Sequence, residues 1–154
     1  MSLGGGGGSE QLRELSEQIQ AIESQIGVLE TEREALRQQQ ADIDEAVDSI
    51  DRLDTGSQVQ VPLGGGAYAH AELGDIDSVT VTLGGGYVAE RDADGAVETL
   101  ENKHDTLDDR IDEISEEISE LERESDQLED RAMQMQQQLQ QQMQQRQQRP
   151  GDNG

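Results

Sequence analysis

The chain has no cysteine, no phenylalanine and no tryptophan, and its aromatics are two tyrosines, Tyr68 and Tyr87. Without cysteine there are no disulfides, no thiolate metal ligands and no cysteine nucleophile. Without large aromatics, a compact core of this length lacks its usual source of buried area. Basic residues are scarce as well: 11 Lys and Arg stand against 35 Asp and Glu, a formal net charge of -24. That balance opposes a phosphate backbone, and no basic stripe is interleaved with aromatics, so no nucleic acid is expected as a partner. No apolar run approaches the length of a membrane span. Residues 1–9 lack the basic and apolar regions of a signal peptide. No membrane is expected as a partner, and the expected location is the cytoplasm. The acids are spread along the whole chain, which is read as adaptation to a high-salt cytoplasm. In molar salt the Debye length falls to about 3 Å, and most self-repulsion falls with it.

What is present is periodic. Residues 1–8 read as a flexible Gly-rich tether, and Ser9 is placed to cap a helix. From Leu12 apolar residues recur at alternating spacings of three and four: Leu12, Leu15, Ile19, Ile22, Ile26, Leu29, Leu36, Ile43, Val47 and Ile50. Arg33 and Gln40 are the polar members of this seam. The spacing predicts a coiled-coil helix over residues 9–55, with Gly56 as its punctuation. A second seam runs through Val97, Leu100, Leu107, Ile111, Ile114, Ile118, Leu121, Leu128, Ala132, Met135 and Leu139, with His104, Ser125 and Gln142 as polar members. It predicts a helix over residues 94–145, followed by a disordered tail over residues 146–154.

Between the helices, residues 56–93 change period. Val59, Val61 and Leu63 alternate with polar residues and proline, then Gly64-Gly65-Gly66 precedes Ala67 to Leu73. The same order returns twenty residues on, with Val79, Val81, Leu83, Gly84-Gly85-Gly86 and Tyr87. This is an internal repeat of two β-hairpins, each a strand, a glycine turn and a returning strand. The expected fold class is mainly α with a small β part: a long antiparallel two-helix coiled coil joined by two hairpins. Folding back sets Leu12 opposite Leu139, Arg33 beside Glu116 and Glu117, and Gln40 beside Arg110. The helices span roughly 65 and 75 Å at 1.5 Å per residue, so the second outlasts the first by about one to two turns. Isolated hairpins are marginal in water. Nothing else in the chain is free to cover their apolar face, so oligomerisation is expected through Val59, Val61, Leu63, Val79, Val81 and Leu83.

The segment from Val59 to Tyr68, then Ala71-Glu72-Leu73, then Leu83-Gly84-Gly85-Gly86-Tyr87-Val88, resembles the archaeal prefoldin alpha subunit, over residues 10 to 145. The acidity points to a halophilic member. The resemblance implies a hetero-hexamer of two alpha and four beta subunits, in which the hairpins oligomerise into a β-barrel platform. It also implies an ATP-independent holdase chaperone that binds unfolded client proteins at the coiled-coil tips and delivers them to a group II chaperonin. The residues at that end agree. Residues 131–149 hold Arg131, Arg146 and Arg149 but no acid, and Met133, Met135, Leu139 and Met143 stand among glutamines. Methionine is flexible and polarizable and suits promiscuous contact. The client-binding residues are therefore taken as Leu12, Leu15, Met133, Met135, Leu139 and Met143. A structural coiled-coil scaffold or adaptor, bound to one specific protein, is the rival reading.

Other signals point elsewhere. Neither glycine triplet is followed by Lys-Ser/Thr or a helix start, as a phosphate loop requires. In Asp92-Ala93-Asp94-Gly95 the glycine comes too early for a calcium loop, and a turn plus helix cap accounts for it. His70 and His104 lie in different elements without a ligand cluster. Carboxylates around Asp105, Asp108, Asp109 and Asp112 read as a solvated helix face. The acids have no apolar pocket to tune them for proton transfer. No enzyme activity, no metal and no cofactor is expected.

Overall fold

The computed structural model describes residues 3–148. The order of elements is α1 (Leu3–Arg52), β1 (Gln58–Gly64), β2 (Ala67–Glu72), β3 (Val79–Gly84), β4 (Tyr87–Arg91) and α2 (Ala93–Gln148). Two long helices thus enclose two small antiparallel hairpins in the chain order. The molecule divides into two units. One is Glu34–Asp112, and the other is built from residues 3–33 and 113–148.

In the unit of residues 3–33 and 113–148 the helices pair antiparallel. Gly8 lies against Leu139, and Arg33 Nη1 donates to Ser115 Oγ at 3.1 Å. The three-four spacing turns Leu15 and Ile22 of α1 and Ile114 and Ile118 of α2 out of solvent. Burial of these narrow stripes is the main force holding the pair, since hydrogen bonds within each helix exist with or without a partner. Ser125 is buried on the same seam.

Two expectations change here. The helix begins at Leu3, so the glycines from Gly4 onward, read as a tether, are helical. The physical reason is visible at Gly8, where an added Cβ would stand 2.7 Å from the Leu139 side chain. The bare backbone lets Leu139 pack directly on α1, which offsets the poor helix propensity of glycine there. The cross-helix contacts also differ in detail. Leu139 packs on Gly8, about one helical turn before Leu12 on α1. Arg33 binds Ser115 instead of Glu116 or Glu117. With α1 reaching Leu3, the overhang of α2 shrinks to about one turn. The expected tail at residues 146–148 is helix. Residues 1–2 of the tether and 149–154 of the tail lie outside the described residues.

In the unit Glu34–Asp112, α1 ends at Arg52 and the chain turns through Gly56, whose φ of 86° suits glycine. Gly56 N–H donates to Leu73 O at 2.9 Å, and Leu73 N–H donates to Ser57 O at 2.7 Å. β1 then pairs with β2, Val59 opposite Ala71 and Val61 opposite Ala69. β3 pairs with β4, Val81 opposite Ala89 and Thr82 opposite Val88. Both turns use positive φ at their two central residues, Gly65-Gly66 at 60° and 82° and Gly85-Gly86 at 61° and 82°. That is the primed turn that matches strand twist, and it explains why the repeat preserves its glycines. α2 starts on a cap: Gly95 N–H donates to Asp92 Oδ1 at 2.7 Å. A Cβ at residue 95 would meet that same oxygen at 2.7 Å. The Asp92–Gly95 segment is therefore a helix start, as expected.

The core of this unit consists of Ile43 from α1, Val81 from β3, and Ala96 and Leu100 from α2. Ala46, Val47, Ile50, Val79 and Leu107 pack around it. Lys103 Nζ donates to Thr82 O at 2.8 Å and ties β3 to α2. The expectation that nothing in the chain covers the hairpins therefore fails for the second one. Its own helices take Val79 and Val81 into their core.

Candidate interaction surfaces

Alternation on a strand sends every second side chain to one face. In the first hairpin Val59 and Val61 share a face with their partners Ala71 and Ala69, and Leu63 follows at the irregularity in register between Pro62 and Gly64. Twenty residues on, Val79, Val81, Leu83 and Ala89 are their counterparts. The two copies meet different fates. Val81 is 5% exposed, while Val61 is 43% exposed. Val59 and Val79 are half-buried, and Leu63 and Leu83 are exposed. Tyr68, Tyr87 and Val88 add to the exposed set. Of the expected oligomerisation residues, Val61, Leu63 and Leu83 thus offer free apolar surface. Val81 is spent within the chain, and Val79 packs against the same core. Both hairpins are two-stranded, so among the described residues their outer edges pair with no further strand.

The expected client residues also divide. Met133 and Met143 are exposed, at 60% and 65%. Leu12, Met135 and Leu139 are half-buried and Leu15 is buried, all on the helix seam. Leu15 is therefore withdrawn from any outside contact while the helices stay paired.

The polar seam positions form specific contacts. Gln40 Nε2 donates to His104 O at 3.2 Å and to Asp108 Oδ1 at 2.6 Å. His104 sits between two carboxylates, with Nε2 3.6 Å from Asp44 Oδ1 and Nδ1 3.7 Å from Asp108 Oδ2. Donor atoms of His104, Asp105 and Asp108 lie within 4.8 Å of one another. These three share α2 at i, i+1 and i+4, while Asp44 and Gln40 reach His104 and Asp108 from α1, a link that spacing along one helix does not show. The knot lies on a helix face open to water and links α1 to α2. Among the described residues, no helix is long and apolar enough to cross a membrane.

The family model described as Prefoldin subunit matches residues 22–149. A prefoldin subunit alpha of Halobacterium salinarum is 56% identical over 107 residues, covering 70% of this chain and 69% of that protein. One from Halorubrum lacusprofundi is 57% identical over 102 residues, covering 66% and 67%. One from Haloarcula marismortui is 63% identical over 71 residues, a match that spans about half of either chain, 46% of each. Among solved structures, the chain is similar to filamentous PFD from Methanocaldococcus jannaschii. The TM-score is 0.51 and the identity 27%, covering 78% of this chain and 96% of that one.

Proposed function

The chain belongs to the prefoldin family, similar to its alpha subunits from halophilic archaea, and from that premise we propose that it is one subunit of an ATP-independent holdase chaperone. It assembles with beta-type subunits in a hexamer of two alpha and four beta. It holds unfolded proteins at the end that carries Met133 and Met143, and delivers them to a group II chaperonin in the cytoplasm.

The observation that carries this reading is the distribution of bare apolar surface. Nine large apolar side chains are exposed among the described residues, and six of them belong to the hairpins: Val61, Leu63, Tyr68, Leu83, Tyr87 and Val88. Six such residues on two small sheets with unpaired edges make a surface that further strands complete. Two of the other three, Met133 and Met143, lie on the glutamine-rich end of α2, where acids are absent. A flexible apolar surface without strong charge accepts many sequences. Assembly thus falls to the hairpins and client capture to the methionine end.

The test is light scattering with several unrelated unfolding clients, with the chain co-assembled with a beta-type subunit. Protection of all of them supports the holdase. Protection of none, or of one specific protein, supports the scaffold or adaptor reading instead.

A further inference from the structure

The third helical residue with a bare apolar side chain is Val28, 68% exposed on α1. It is off the seam and serves no helix pairing. Beside it stands Gly27, in the interior of a long helix, with open space where a Cβ would be. A mid-helix glycine costs about 0.5–1 kcal/mol relative to alanine, and among the described residues nothing packs where its Cβ would be. Thr31 Oγ1 donates to the Gly27 carbonyl at 2.9 Å, so that backbone oxygen is held by its own helix. Val28 and Leu29 line a groove with Leu121 of α2, about 450 Å³ in volume. Glu117, Glu120 and Glu124, spaced to one face of α2, stand along it with exposed carboxylates.

These features converge on one place: an uncovered aliphatic side chain, a backbone left bare enough for close approach, and three carboxylates along an apolar floor. We propose that this groove is a second binding site for unfolded proteins, selecting segments that carry aliphatic residues flanked by lysine or arginine. The aliphatic side chains cover Val28, Leu29 and Leu121, and the segment's backbone passes over Gly27. Its basic groups meet Glu117, Glu120 and Glu124. The site complements the methionine end, where acids are absent. One surface takes apolar segments irrespective of charge, and the other sorts for basic ones. The assignment rests on the holdase reading for the nature of its occupant.

The test titrates the full-length chain with two fluorescent peptides that share the same leucines, one interspersed with lysine and the other with glutamate. The salt concentration is one at which the helical ellipticity of the chain is complete. The lysine peptide binds more tightly. Val28→Gln weakens it about fivefold, as expected for losing most of one buried valine, and ellipticity is unchanged because Val28 faces water. Neutralising Glu117, Glu120 and Glu124 to glutamine together removes the preference between peptides. Truncation after Asp130 preserves the Val28-dependent binding. Equal affinity for the two peptides, no effect of Val28→Gln, or loss of all lysine-peptide binding on truncation each overturn the proposal. Aggregation assays on the same proteins report on the holdase reading separately. Suppression of aggregation with no Val28 effect refutes the groove alone. Val28-dependent binding without suppression refutes the holdase.

Discussion

Replacing Val81 by alanine tests whether the second hairpin is fastened to its own helices. Val81 is 5% exposed and packs among Ile43, Ala96 and Leu100. Its loss removes roughly two methylene equivalents at about 0.8 kcal/mol each, and the unfilled space raises the cost to about 2–3 kcal/mol. The equivalent Val61 is 43% exposed, and no buried cluster of the described residues includes it. Its replacement by alanine costs the free chain less than about 1 kcal/mol, since the side chain is already partly in water. Urea unfolding of the chain alone, followed by far-ultraviolet ellipticity, measures both. In the complex with a beta-type subunit the contrast narrows, because Val61 is then buried by another chain. Equal losses for the two variants in the free chain, or a larger loss at Val61, would refute the asymmetry between the hairpins.

Other perturbations separate the parts. Truncation after Asp130 leaves assembly intact on a sizing column but weakens suppression of client aggregation; unchanged suppression removes the methionine end from the mechanism. Asp92→Ala deletes the oxygen that accepts from Gly95 N–H and lowers stability by about 1 kcal/mol, read as a lower thermal midpoint. Gly27→Ala meets open space and raises stability by about 0.5–1 kcal/mol, read in the same melt; a destabilised variant would show that Gly27 has a packing role within the chain.

The helices were legible because their core is a stripe, and a stripe is written directly in the spacing of Leu, Ile and Val. From Leu12 to Leu139 the seam residues read from the sequence are all withdrawn from water to some degree. The hairpins were legible because glycine triplets mark turns that need positive φ. The start of α1 was not, because glycine carries almost no helix preference of its own, and only the contact between Gly8 and Leu139 shows what holds it.

The difference between Val61 and Val81 was hidden by the repeat itself. Identical local patterns predict identical environments, and only the tertiary fold decides which copy its helices cover. The polar contacts of Arg33, Gln40 and His104 depend on the register to within one residue. Periodicity alone fixes a seam but not that detail.

The most direct test of the assembly claim is native mass measurement after co-expression with a beta-type subunit, for the natural chain and for Val61→Asp with Leu63→Asp. These two residues are exposed in the chain, so the variant keeps its own fold, checked by ellipticity. The expected result is one complex of two alpha and four beta chains for the natural protein, and none for the variant. A variant that still enters the complex, or a natural chain that remains alone, would contradict the assignment of the hairpins as the assembly surface.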